Sequence, residues 1–174
     1  MTPVERKAFH AGARAQKQTG VHITTHCTWL GSETSQLTIL DDAGVDLNRV
    51  VIGHTAGHLM NKDYRNTVIE WMKRGANFLP TNLNMAKAAI WHPLVLVEAI
   101  HEVFQAGLGD HLLLGLDSGY VSESGEFGPM PFLPLPPFAY MFTDVLPALR
   151  GLGLTPQEEE QILVINPRRI LPVQ

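Results

Sequence analysis

Residues 21–26 read VHITTH and residues 49–54 read RVVIGH, and these two short apolar stretches decide the fold. β-Branched residues are frequent in both, which is typical of strands buried on both faces. A helical pattern over residues 32–43, stopped by Gly44, lies between them. The order strand, helix, strand predicts parallel strands joined by a right-handed crossover.

The same alternation continues on both sides of these stretches. Thr2, Pro3 and Glu5 form the start signal of a helix over residues 3–18, because they suit the N-cap, the first helical position and a capping box. Further helices are predicted at residues 62–74, 92–105, 138–149 and 166–171 and after Thr155, and further strands at residues 76–79 and 111–117. Residues 118–137 hold five of the twelve prolines and predict a long loop.

Composition bounds the class of protein. The chain has 174 residues, of which 45% are hydrophobic and 17% charged, so we expect one folded domain over residues 1–174. The net charge of −4, without a basic run, argues against nucleic acid or a membrane surface as a partner. One cysteine and no long apolar run indicate neither a disulfide framework nor a spanning helix, and we interpret the chain as cytoplasmic.

Three polar side chains follow predicted strands at equivalent places. His26 ends the first strand, His54 the second and Asp117 the fourth, so all three are expected at the carboxyl edge of the sheet. Imidazole and carboxylate groups are the donors that suit Zn²⁺ and related divalent ions in hydrolytic sites. The residues by themselves leave two interpretations open, a metal site or ordinary capping and turn residues.

The order of several short motifs supplies a resemblance. VHITTH at 21–26, VIGH at 51–54, LLGLD at 113–117 and NPRRIL at 166–171 resemble successive landmarks of the phosphotriesterase family in the amidohydrolase superfamily. The opening TPVERK at 2–7 resembles the helix before that family's fifth strand. The resemblance implies an α/β fold, the C-terminal half of a (β/α)8 TIM-type barrel with the fifth to eighth parallel strands and their flanking helices.

The resemblance also implies a site and a reaction. His26 resembles the fifth-strand histidine and His54 the sixth-strand histidine, which together hold one metal, and Asp117 resembles the eighth-strand aspartate, which holds a second. In the family, two divalent ions lower the pKa of a shared water while the aspartate accepts a proton. The implied activity is zinc-dependent hydrolysis of a small-molecule phosphotriester, lactone or carboxylic ester, with Asp117 as the catalytic base.

Two parts of the family's site have no counterpart in the chain. These are the His-x-His pair of the first strand and the bridging lysine of the fourth strand. A complete barrel has eight strands and typically about 250 residues. We therefore expect part of a longer enzyme, completed by an N-terminal half-barrel or by a second copy in a homodimer. The alternative is a non-catalytic half-barrel remnant or an assembly module that lacks the full binuclear site.

Two residues next to the predicted ligands are assigned no chemistry. Cys27 follows His26 and is interpreted as a small, buried, apolar residue. His58 is interpreted as a histidine of a surface loop in preference to a residue that orients a metal ligand. The acidic residues that the family places after the sixth-strand histidine are missing from Thr55-Ala56-Gly57.

Overall fold

The computed structural model describes residues 1–27, 29–81, 83, 92–117 and 139–171. The strands are β1 (Ile23–His26), β2 (Val50–Gly53) and β3 (Asn77–Leu79). The α-helices are α1 (Pro3–Thr19), α2 (Ser32–Asp42), α3 (Ala56–Met60), α4 (Arg65–Lys73), α5 (Pro93–Gln105), α6 (Leu146–Gly151), α7 (Pro156–Glu160) and α8 (Asn166–Ile170). Short 3-10 helices cover Leu47–Arg49 and Gly109–His111, and π-helical turns cover Met141–Val145 and Gln161–Ile165.

The three strands form a parallel sheet in the order β1-β2-β3. Ile23 is opposite Val50, and Val51 is opposite Asn77. Because each crossover between neighbouring strands contains helix, the arrangement confirms the predicted α/β fold and the parallel pairing.

The predicted fourth strand at residues 111–117 is wrong as a regular strand. A single parallel bridge joins Phe78 to Leu112, and the segment continues beside β3 with Leu113 N–H donating to Phe78 O at 3.0 Å and Gly115 N–H donating to Pro80 O at 3.0 Å. Pro80 has no N–H to return to this segment, so the ladder between the two is incomplete. The chain nevertheless runs parallel to β3 and delivers residue 117 to the same edge.

The helices follow their sequence signals, with one addition. Thr2 and Glu5 form the predicted capping box of α1, and Thr155 and Glu158 form another at α7. The additional element is α3, which is separated from the end of β2 by two residues, whereas α4 begins three residues later than predicted. The predicted loop over residues 118–137 lies outside the described residues, and no helix among the described ones is long and apolar enough to cross a membrane.

The core lies between the sheet and its helices. Every residue of β2 is buried, and β2 packs with apolar residues from α2, α4 and α5. The largest fully buried side chains include Phe78, Leu37, Leu40, Ile52 and Met72. Burial of a side chain of this kind contributes about 1.5–3 kcal/mol each, so the layer fixes the strands whose ends carry the polar residues.

Candidate functional site

The structure brings His26, His54 and Asp117 together, and we call these three residues the edge site. His26 is the last residue of β1, and His54 directly follows β2. Their imidazole rings lie with centroids 4.0 Å apart and planes inclined by 40°. Asp117 places Oδ1 3.6 Å from Nε2 of His54. Three predicted donors from three separate segments therefore converge at one edge of the sheet.

The backbone at two of these residues is unusual. His54 has φ of 63° and Asp117 has φ of 56°, and these are the only non-glycine residues with positive φ in the described ranges. A left-handed backbone costs a residue with a Cβ free energy, and such conformations cluster at ligand and active sites. Here the chain turns sharply as it leaves the sheet, which places both side chains at the same edge.

The electrostatics of the edge site favour a neutral imidazole at His54. Burial lowers the pKa of His54; the Asp117 carboxylate opposes this effect only in part, and the nearby His26 ring adds to it. The side chain of His54 is 20% exposed and that of Asp117 is 48% exposed. A neutral imidazole is the form that binds metal ions, and the exposed carboxylate remains accessible from solvent.

Gln36 of α2 and Gly53 of β2 position the end of β1. Thr25 Oγ1 donates to Gln36 Oε1 at 2.6 Å, and Gln36 Nε2 donates to the carbonyl of His26 at 2.8 Å. A Cβ at Gly53 would lie 2.8 Å from the carbonyl oxygen of Thr25, so only glycine allows this close approach of the strands. The distance between the His26 and His54 rings depends on this contact.

A second group of polar side chains lies on the other side of the same strand end. Cys27, Glu33 and His58 are 1%, 0% and 1% exposed, and we call them the buried cluster. Successive side chains of a strand point to opposite faces of the sheet. Cys27 therefore points toward the helices, whereas His26 points away from them, toward the other residues of the edge site. The interpretation of His58 as a surface residue is wrong. Cys27 is buried in the core as expected, and its sulfur also contacts polar groups.

Glu33 is the charged centre of the buried cluster. Its Oε2 lies 3.2 Å from His58 Nε2 and accepts the N–H of Gly31 at 2.9 Å, and its Oε1 accepts hydrogen bonds from Tyr64 and Thr34. Burial by itself would raise the pKa of Glu33, but the bonds from His58, Tyr64 and Thr34 outweigh burial and lower the pKa to about 2. The carboxylate is therefore ionised and fully bonded inside the protein.

The partners of Glu33 shift in the opposite direction. Burial would lower the pKa of His58, but Cys27 and Glu33 together raise it to about 9. Burial and the hydrogen bond to Glu33 raise the pKa of Tyr64 to about 12. His58 and Glu33 thus form a buried ion pair.

Sequence reasoning identified the edge site but not Glu33 or Gln36. Both lie in the first turns of α2, where a glutamate or glutamine is ordinarily a solvent-exposed helix residue. The usable signal was the spacing of Cys27 and His58, each just past a strand end, with Glu33 at the start of the intervening helix. A buried thiol and imidazole at adjacent strand ends require polar partners.

Known proteins resemble the chain along nearly its whole length. The model of the phosphotriesterase family matches residues 1–171. The phosphotriesterase homology protein of Escherichia coli is 28% identical over 170 residues, which cover 96% of this chain and 53% of that protein. A phospho-furanose lactonase of Mycoplasmopsis synoviae is 28% identical over 97% of this chain and 46% of its own length.

Solved structures show the same relation. The organophosphorus hydrolase of Deinococcus radiodurans superposes with a TM-score of 0.76 at 27% identity, covering 98% of this chain and 51% of that one. The chain thus spans about half the length of the relatives it matches, which agrees with half of their barrel. With the family model matched over residues 1–171 and its fold shared with solved members, the chain belongs to the phosphotriesterase family.

Proposed function

We propose that the chain supplies part of the active site of a zinc-dependent hydrolase that cleaves ester-type bonds of a small molecule. The convergence of His26, His54 and Asp117 at the carboxyl edge of the sheet carries the proposal. Relatives named as an organophosphorus hydrolase and as a phospho-furanose lactonase support a phosphotriester or lactone as the substrate class.

The edge site fits a divalent ion by the chemistry of its donors. His26 and His54 would hold one ion through their imidazole nitrogens, and Asp117 would offer its carboxylate to a second. Two imidazoles and a carboxylate match the preference of zinc in hydrolytic sites. Ions held there would polarise the substrate oxygen and lower the pKa of a water molecule.

Asp117 is proposed as the base of the reaction. Its half-exposed carboxylate faces solvent at the edge where substrate would arrive, and the His54 ring 3.6 Å away limits its freedom. A carboxylate in this position can accept a proton while the neighbouring neutral imidazole stays in place. The left-handed backbone at Asp117 fixes this orientation without help from a regular strand.

The first experiment joins the chain to its upstream coding region, loads the protein with zinc and measures hydrolysis of a lactone and of an aryl phosphotriester. Asp117→Asn should lower kcat by about 10²–10⁴-fold, the usual contribution of a positioned base. Asp42→Asn, which changes an exposed aspartate at the C-terminal end of α2, is the matched control and should leave kcat unchanged. Equal activity of wild type and Asp117→Asn would refute the proposed role.

We also propose that a second half-barrel completes the site, either from a longer polypeptide or from another copy of the chain. The relatives are about twice as long, which supports this completion. Light scattering of the purified 174-residue chain separates the two sources. A dimer supports pairing of two copies, whereas a folded monomer excludes it.

A further inference from the structure

The buried cluster presents three metal-binding atoms to one point. Cys27 Sγ lies 3.5 Å from His58 Nε2 and 3.8 Å from Glu33 Oε2, and the latter two atoms lie 3.2 Å apart. The three atoms come from β1's end, the first turn of α2, and α3. Side chains far apart in the sequence therefore form a small triangle inside the protein.

The size of this triangle matches a tetrahedral zinc ion. Zinc bonds are about 2.3 Å to sulfur and about 2.0–2.2 Å to nitrogen and oxygen. Tetrahedral angles then separate sulfur from nitrogen and from oxygen by about 3.5–3.6 Å, and nitrogen from oxygen by about 3.3–3.4 Å. The observed separations of 3.5, 3.8 and 3.2 Å lie close to these values.

A fourth donor lies beside the triangle. The carbonyl oxygen of Trp29 is 3.1 Å from His58 Nε2 and 3.9 Å from Cys27 Sγ. Nε2 of a histidine carries at most one proton, yet two acceptor oxygens, of Trp29 and Glu33, and the sulfur of Cys27 surround it within 3.5 Å. One hydrogen bond accounts for only one of these approaches, whereas a cation at their common centre contacts all of them.

The surroundings distinguish this place from the edge site. All three side chains are almost fully buried, so no open position is left for water or substrate. Closed sites with thiolate and imidazole donors are characteristic of structural zinc, and a thiolate disfavours magnesium and calcium. Tyr64 and the N–H of Gly31 hold the carboxylate of Glu33 from behind, as outer partners of metal ligands do.

We propose that Cys27, Glu33 and His58, together with the Trp29 carbonyl, bind a structural zinc ion that is separate from the edge site. The ion ties the loop after β1 to the starts of α2 and α3. Cys27 follows His26, and His58 lies four residues after His54, so the same ion would fix the backbone near both edge histidines. The proposal stands whether or not the edge site is catalytic.

Cobalt substitution tests this site without any assay of activity. The chelator-treated full chain is titrated with Co²⁺ and followed by its thiolate-to-cobalt charge-transfer absorption. Because Cys27 is the only cysteine, any such band reports this residue. We expect a band that saturates when one cobalt ion is bound beside Cys27 and that is displaced by zinc.

Two variants locate the band. His26→Asn with His54→Asn should keep it, whereas His58→Gln should weaken cobalt affinity by more than the 10–100-fold typical of an outer partner. Circular dichroism shows whether His58→Gln still folds. If it does not, the test rests on the band of the wild type and of the variant with both His26→Asn and His54→Asn. A folded wild type without the band, or loss of the band in the double variant, overturns the proposal.

Discussion

The edge site and the buried cluster lie on opposite sides of one strand end and differ in nearly every physical property. Consecutive residues, His26 and Cys27, belong to different groups because strand side chains alternate in direction. The edge site includes a half-exposed carboxylate and strained backbone, whereas the buried cluster is closed and its carboxylate is fully hydrogen-bonded. The difference teaches that one strand end can carry a partly exposed polar group on one face and a closed, buried one on the other.

The largest effect is expected on activity at the edge site. If the proposed function holds, His54→Asn in the completed, zinc-loaded protein should lower kcat/KM more than about 100-fold, because an imidazole donor is lost. Asparagine tolerates the left-handed backbone at this position, so the free energy of unfolding should hardly change. His10→Asn, at an exposed position of α1, is the control. Unchanged kcat/KM in His54→Asn would show that this histidine has no role in the proposed site.

The buried cluster should show the opposite response. Glu33→Gln in the metal-free chain leaves His58 without its ionic partner and should lower the free energy of unfolding by about 3 kcal/mol. Urea denaturation measures the change, with the exposed Glu98→Gln expected to stay within about 0.5 kcal/mol of wild type. Equal stability of the two variants would show that Glu33 is not a structural anchor.

The positions of the edge-site residues could be predicted from sequence, whereas the buried cluster could not, and the difference has a physical cause. Strand ends are visible in VHITTH and RVVIGH, so the convergence of His26 and His54 followed from parallel pairing alone. Asp117 was placed at the right edge although its segment is not a regular strand, because Pro80 interrupts the ladder without changing its direction. Local periodicity was sufficient for these residues.

The buried cluster could not be derived in the same way. Glu33 looks like an ordinary acidic residue in the first turn of a helix, where a negative charge is favourable on its own. Its burial depends on how α2 packs against α3 and on Tyr64, which follows 31 residues later. Such packing is a tertiary property; the spacing of Cys27 and His58 marks their places in the fold but does not show that Glu33 is buried between them.

A change at the contact between β1 and β2 should destabilise the strand pair on which the edge site depends. Gly53→Ala places a Cβ 2.8 Å from the Thr25 carbonyl, which should separate β1 from β2 and cost about 1–3 kcal/mol of stability. Gly12→Ala in α1 has open space and should stabilise the chain by about 0.5–1 kcal/mol. Thermal unfolding measures both. A neutral Gly53→Ala would show that the strands can move apart freely.

The smallest effect is a pH dependence of stability that belongs to the buried cluster. The folded pKa of His58 is raised from 6.5 to about 9, so its contribution is complete below pH 6.5 and is lost as pH rises through 9. The folded pKa of Glu33 is lowered from 4.5 to about 2, so its contribution is complete above pH 4.5 and is lost as pH falls through 2. The pair stabilises the metal-free chain most between pH 4.5 and 6.5.

Urea denaturation between pH 4.5 and pH 9 compares the chain with a variant carrying both Glu33→Gln and His58→Gln. The difference in unfolding free energy should be greatest between pH 4.5 and 6.5 and should shrink toward pH 9. Groups outside the pair titrate in both proteins, so their effect largely cancels in the difference. A difference that stays constant from pH 5 to pH 9 would contradict the assignment of the ion pair.

The most direct test of two separate sites at one strand end is anomalous diffraction at the zinc edge from crystals of the chain grown with zinc. We predict one anomalous peak bonded to the imidazoles of His26 and His54 and a second enclosed by Cys27, Glu33 and His58. The two peaks should lie on opposite faces of β1. Zinc-containing crystals with no peak against His26 and His54 would contradict the assignment of the edge site as a metal centre.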